Sequence, residues 1–68
     1  MDPAKKMRVL VVDGLPLARF ALSSLLDLHP LVTVCGEARD VPDARQQCEE
    51  LKPHFVVTDL NLPRGDGV

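Results

Sequence analysis

The sequence has no tryptophan and no tyrosine, and only two phenylalanines, Phe20 and Phe55. That scarcity leaves no aromatic platform on which bases could stack. The formal net charge is −2 with both signs interspersed, so there is no basic field to hold a phosphate backbone either. Nucleic-acid binding by this chain is not expected. No apolar run approaches the ~18 residues of a membrane span, and the opening MDPAKKM lacks the apolar core of a secretory signal. The expectation is a cytoplasmic protein with no membrane partner. Cysteine is scarce: Cys35 and Cys48 form no CxxC and no Cys/His cluster, so two buried reduced thiols are expected. Gly36 stands without GxGxxG or GxxxxGK around it, and a tight backbone approach within a sheet suits it better than a phosphate cradle. There is no internal repeat, low-complexity tract or linker, so the 68 residues are expected to hold one small domain, 1–68, or part of one, with a marginal core.

What is present alternates between two periodicities. MRVLVVDG is a short continuous apolar run ended by Asp13-Gly14, which suits a strand covered on both faces, as in parallel sheets. Pro16 fits the first turn of a helix, because its missing N–H would have had no intrahelical partner there. Pro16 to Leu28 then runs without a breaker, and His29-Pro30 ends it. Ala18, Leu22 and Leu25 make one face at helical spacing, while Leu17, Phe20, Ala21, Leu26 and Leu28 widen the apolar surface beyond one stripe. LVTVCGE, Leu31 to Glu37, reads as a second and partly alternating strand. Asp40 can cap a second helix with Pro42 in its first turn, and Ala44, Cys48 and Leu51 recur at i, i+4 and i+7 among charged and amide residues. Lys52-Pro53 stops it; HFVVTD supplies a third strand ending at Asp59, and NLPRGDGV is turn-rich loop. Strand, helix, strand, helix, strand with short connections is the order of βαβ units on a parallel sheet.

Two carboxylates fall at strand ends. Ligands of open parallel sheets collect beyond the carboxyl ends of the strands, where the strand order reverses. If the third strand adds beside the first, on the side away from the second, Asp13 and Asp59 share that crevice. Two acids there, with carbonyls and water, make a hard oxygen site for Mg²⁺, which can neutralise charge on a phosphoryl group passing to a carboxylate. Aspartate also favours strand ends simply as a turn former, and spacing alone leaves both roles open.

RVLVVDGLPLAR, VCGEARDVPDA, LKPHFVVTDLNLP and LPRGDG, in that order and spacing, resemble the N-terminal part of a response-regulator receiver domain, of the type that precedes LuxR/NarL-like helix-turn-helix output domains. The resemblance runs from about Met7 to Val68. It implies a partial flavodoxin-like, doubly wound parallel sheet with strand order 2-1-3 and element order β-α-β-α-β. By that resemblance the chain serves two-component phosphorelay signalling and is not an enzyme. Asp59 matches the aspartate that accepts a phosphoryl group from a histidine kinase or phosphotransfer protein. Asp13 matches the first acid of a Mg²⁺-binding pair, and Asn61 the position that offers its backbone carbonyl to the metal. The metal set implied is thus Asp13, Asp59 and Asn61. Gly14 stands where the family usually has the second acid, so Mg²⁺ binding is expected to be weak or absent, and phosphotransfer impaired. Pro63 and Gly67 shape the loop, and Asp66 would cap a third helix. The family's further strands, which carry a Ser or Thr and a Lys that hold the phosphoryl group, would lie beyond Val68. The alternative is a pseudo-receiver that acts by protein interaction or dimerisation, or an inactive fragment of a longer regulator.

Other residues are assigned plainer roles. His29 and His54 flank prolines at element boundaries and lack ligand partners at metal spacing. Arg8, Arg19 and Arg39 are scattered and expected on solvated surface, and Arg64-Gly65-Asp66 is a chance triplet. Leu17, Phe20 and Leu28, with the open edge of the third strand, are expected to face water and to favour self-association or a partner protein.

Overall fold

A computed structural model of the chain describes residues 6–58. Its elements are β1 (Met7–Val12), α1 (Pro16–Asp27), β2 (Val32–Ala38), α2 (Val41–Leu51) and β3 (Phe55–Thr58). The three strands form one parallel sheet in the order β2-β1-β3. This is the flavodoxin-like β-α-β-α-β arrangement expected, with β1 in the centre.

The apolar run of β1 explains its place. Val9, Leu10, Val11 and Val12 are all buried, Leu10 and Val11 completely, so both faces of the strand are covered. Leu10 and Val12 point toward α2 and cluster with Ala38, Ala44 and Cys48. Val9 and Val11 take the opposite face, where α1 packs against β1 and β2. Among the described residues neither helix packs its backbone closely on β3, although α2 shares an apolar groove with it. Phe55 and Val56 are consequently left about half exposed, as the open edge required. Both cysteines are free and partly buried, less covered than two core thiols would be.

β2 carries a bulge. Val9 pairs with Val34 but Leu10 pairs with Gly36, so Cys35 is an extra residue on the β2 side. That shift breaks the alternation of the segment and sets Gly36 beneath α2. A Cβ built there would stand 2.6 Å from Gln47 Oε1, 2.7 Å from Leu51 Cδ1 and 3.2 Å from Leu10 Cδ1. The tight approach expected of this glycine is present.

The caps follow the punctuation of the sequence. Asp40 is the N-cap of α2 and its Oδ1 accepts the Asp43 N–H at 2.9 Å, while Asp43 Oδ2 accepts the Arg39 N–H at 3.2 Å. Lys52 closes α2 in the left-handed region, φ 49°, and donates its N–H to Cys48 O. His54 accepts the Arg8 N–H at its Nδ1 and donates its own N–H to Arg8 O, which ties the start of β3 to β1. His29 Nδ1 likewise accepts the Leu31 N–H, so both histidines serve boundaries.

One face was misjudged from spacing. Leu25 is 66% exposed, whereas Ala18, Leu22 and Leu26 are partly covered and Ser23 is buried. The inward stripe therefore follows i, i+4, i+8 rather than i, i+4, i+7, because α1 lies over β1 and β2 with its Ser23 line inward. Leu17, Phe20 and Leu28 are exposed, as expected.

Candidate functional site

β1 delivers Asp13 to the carboxyl edge of the sheet, and three hydrogen bonds fix it there. Its backbone N–H donates to Ala38 O at 3.0 Å, continuing the pairing with β2. Its carboxylate Oδ1 accepts the Leu15 N–H at 3.0 Å, an i to i+2 turn bond. Its carbonyl accepts Nη1 of Arg19 at 2.8 Å. The two roles left open by spacing are thus compatible, since the turn uses Oδ1. Asp13 is only 5% exposed, and among the described residues its carboxylate has no ion pair. Buried carboxylates are commonly paired or coordinate a metal.

Gly14 follows with no side chain to offer. Leu15 is the N-cap of α1 and makes no side-chain cap bond, and no acid lies in the first turn. The described oxygen set is therefore one carboxylate plus backbone, and no group of three or more His, Cys, Asp or Glu able to hold a metal occurs among the described residues. One carboxylate with retained waters fits Mg²⁺, which is commonly bound through one or two acids.

On the neighbouring strand, Val12 pairs with Thr58, the last residue of β3. The parallel register brings the carboxyl ends of β1 and β3 side by side, so the strand leading to Asp59 lies directly beside the strand leading to Asp13. Asp59 and Asn61 lie outside the described residues, as do Pro63, Asp66 and Gly67. Beside this edge, an apolar groove of about 270 Å³ is lined by Val12, Val41, Ala44, Cys48 and Val56, with Arg45 and Thr58 completing the wall. The surface of that groove is almost wholly apolar.

Arg19 departs from the expectation of a solvated arginine. Its side chain is 21% exposed, and besides Asp13 O it meets Glu37 of β2, with Nε 3.5 Å from Oε1. The sequence carried no signal for this: Arg19 lies four residues before Ser23, and only the fold shows that this line of α1 faces inward.

A parallel sheet of order 2-1-3 with an acid closing its central strand at the carboxyl edge is the arrangement of a flavodoxin-like fold. The chain belongs to the response regulator receiver domain family, whose profile matches residues 9–68. It is 40% identical over 65 residues to a protein-glutamate methylesterase/protein-glutamine glutaminase 2 of Vibrio vulnificus, covering 96% of this chain and 19% of that protein. It is 43% identical over 63 residues to a protein of the same function name from Symbiobacterium thermophilum, covering 93% and 17%. The chain thus spans less than a fifth of the length of these relatives. Among solved structures, the response regulator domain of Thermotoga maritima CheB superposes with a TM-score of 0.83 at 34% identity, over 94% of this chain and 48% of that one. RcsB from Salmonella enterica serovar Typhimurium, solved on promoter rprA in the presence of the phosphomimetic BeF3−, gives 0.78 at 29% identity, over 87% and 29%. Receiver domains typically bind Mg²⁺ and interact with histidine kinases or phosphotransfer proteins.

Proposed function

We propose that this chain, taken as one receiver-like unit over 1–68, accepts a phosphoryl group on Asp59 in two-component signalling. A carboxylate oxygen of Asp59 attacks phosphorus, the P–N bond to the donor's imidazole breaks, and the imidazole leaves with a proton while an acyl phosphate forms. Bound Mg²⁺ would neutralise charge on the phosphoryl oxygens. Asp13 would hold the ion with one carboxylate oxygen, and Asn61 would contribute its backbone carbonyl. Gly14 leaves the ion one acid short, so affinity is weak. The observation that carries this is the parallel pairing of Val12 with Thr58, next to a buried Asp13 that lacks an ion pair among the described residues. The partner class is a histidine kinase or phosphotransfer protein in the cytoplasm.

The chain is treated with Mg²⁺ and acetyl phosphate and weighed intact. The expected result is a gain of one phosphoryl group that Asp59→Asn abolishes; a folded sample that gains nothing refutes the proposal. If the chain is part of a longer regulator, its output is proposed to be of the helix-turn-helix type, supported by the RVLVVDGLPLAR motif and the likeness to RcsB. The relatives named as methylesterases supply the competing output, and the coding sequence that follows Val68 decides between them.

A second reading is favoured by the partly exposed third strand. With neither described helix packed closely on β3 and with Phe55 and Val56 exposed, as are Leu17, Phe20 and Leu28 on α1, the chain would act through association with a second copy, without phosphorylation. Sedimentation at micromolar concentration should then show a dimer that Phe55→Glu dissociates. A wild-type monomer overturns it.

A further inference from the structure

We infer that Arg19 is a positioning residue that aims the Asp13 carboxylate at the cation, with Glu37 holding its guanidinium in place; this rests on the phosphoacceptor reading proposed above. The turn Asp13-Gly14-Leu15 needs such a device. Glycine in the middle gives the turn more conformational freedom than any other residue would, and the N-cap Leu15 has no side-chain acceptor to bind the first turn of α1. The side chain of Arg19 holds the first residue of this turn, while its backbone makes the ordinary first helical bond to the last. Its backbone N–H donates to Leu15 O at 2.9 Å, and its Nη1 donates to Asp13 O at 2.8 Å. Asp13 is then clamped through all its polar parts but one: N–H to β2, carbonyl to Arg19, Oδ1 to Leu15 N–H.

The grip depends on the planar fork of arginine. Nη1 faces the end of β1 while Nε faces Glu37 Oε1 at the end of β2, so one rigid group spans two strand termini. A lysine carries the same charge on a single point and cannot span both acceptors in fixed geometry. Glu37 also offsets the positive charge of the guanidinium, which unopposed would repel a divalent ion bound at Asp13. Arg19 thus takes the part of an outer-shell partner: it touches neither metal nor phosphoryl group but orients the residue that does.

The test is a Mg²⁺ titration of the folded chain, followed through the Leu15 amide resonance, together with hydrogen exchange at that amide. Asp13→Asn should abolish the wild-type response. Arg19→Ala should weaken Mg²⁺ binding by about 10- to 100-fold, the loss usual for outer-shell partners, and speed exchange at Leu15. Arg19→Lys should restore folding without restoring affinity, and it serves as the variant if Arg19→Ala fails to fold. Glu37→Gln should weaken binding by a smaller factor. A folded Arg19 variant that binds within twofold of wild type overturns the positioning role while leaving the phosphoacceptor reading intact. A wild-type chain that shows no Mg²⁺ response overturns both.

Discussion

Replacing Gly36 with alanine places one methyl group under α2, and the surroundings decide its cost. The backbone is not the obstacle, for Gly36 lies within a strand; the conflict is purely one of space. Of the three atoms in the way, Leu10 Cδ1 belongs to a side chain with no exposed surface and cannot retreat. Gln47 Oε1, at 2.6 Å, is the end of a flexible side chain, but its Nε2 donates to Glu37 O at 2.7 Å and to Asp43 Oδ1 at 3.1 Å. Swinging Gln47 aside loses both bonds, each worth about 0.5–1.5 kcal/mol. Leu51 Cδ1, at 2.7 Å, must shift as well. Overpacking of this kind costs about 1–3 kcal/mol, against which the stiffer unfolded chain returns about 0.4–1 kcal/mol. The net expectation is a loss of about 1–2 kcal/mol, or roughly 5–15 °C in Tm for a domain this small. Urea denaturation followed by far-UV circular dichroism measures it. The cycle with Gln47→Ala checks the cause: with the 2.6 Å neighbour gone, Gly36→Ala should cost about 1 kcal/mol less than in the wild type. A Gly36→Ala chain as stable as wild type would refute the claim that α2 rests directly on this residue.

Other substitutions probe other parts of the fold. Ser23 Oγ is buried and has no hydrogen-bond partner among the described residues, so Ser23→Ala should raise the urea midpoint, by about 1 kcal/mol of stability, since it removes an unsatisfied group and improves helix propensity. Asp40→Ala removes the cap on the Asp43 N–H and should cost about 1 kcal/mol, read by the same melt. The Asp43 carboxyl is held below its ordinary 3.8, chiefly by the hydrogen bond from Gln47 and then by that from the Arg39 N–H. A depressed folded value means that its contribution is complete above 3.8 and is lost as the pH falls through the lower folded value. Stability should therefore drop in that acid range, and Asp43→Asn should flatten that part of the curve; an unchanged profile would count against the Asp43–Gln47 bond.

Much of the architecture was legible because its signals are local. Pro16 and His29-Pro30 bracket α1, Asp40 with Pro42 opens α2, and an unbroken valine-rich run can be satisfied only in a strand covered on both sides. Strand order was not local and came from the family resemblance, which the pairing of β1 with both neighbours bears out. The bulge at Cys35 was hidden, because an extra residue changes register without changing composition. The inner face of α1 was misjudged because so many of its residues are apolar that no single stripe stands out, and the sheet, rather than the helix, selects which line is buried. Arg19 escaped for the opposite reason. An isolated arginine has no pattern, and its partners, a backbone carbonyl and Glu37, become neighbours only when two strand ends meet.

The two strands that flank the proposed crevice are mounted very differently. β1 is hydrogen-bonded on both sides and roofed by a helix on each face, and the carbonyl and N–H of Asp13 are both engaged, so opening this side requires breaking the core itself. β3 is four residues long and, among the described residues, pairs with β1 alone and has neither helix packed closely on it, so it belongs to the low-stability end of the structure. On the proposed assignment, cation binding therefore draws on the rigid side and phosphoryl acceptance on the loose one. Anything that covers β3, whether a second copy or the continuation of a receiver fold, orders the strand leading to Asp59 while leaving the Asp13 clamp unchanged. Cation affinity and phosphoryl acceptance should accordingly respond to different perturbations: the first to Arg19 and Gly14, the second to what packs on Phe55 and Val56.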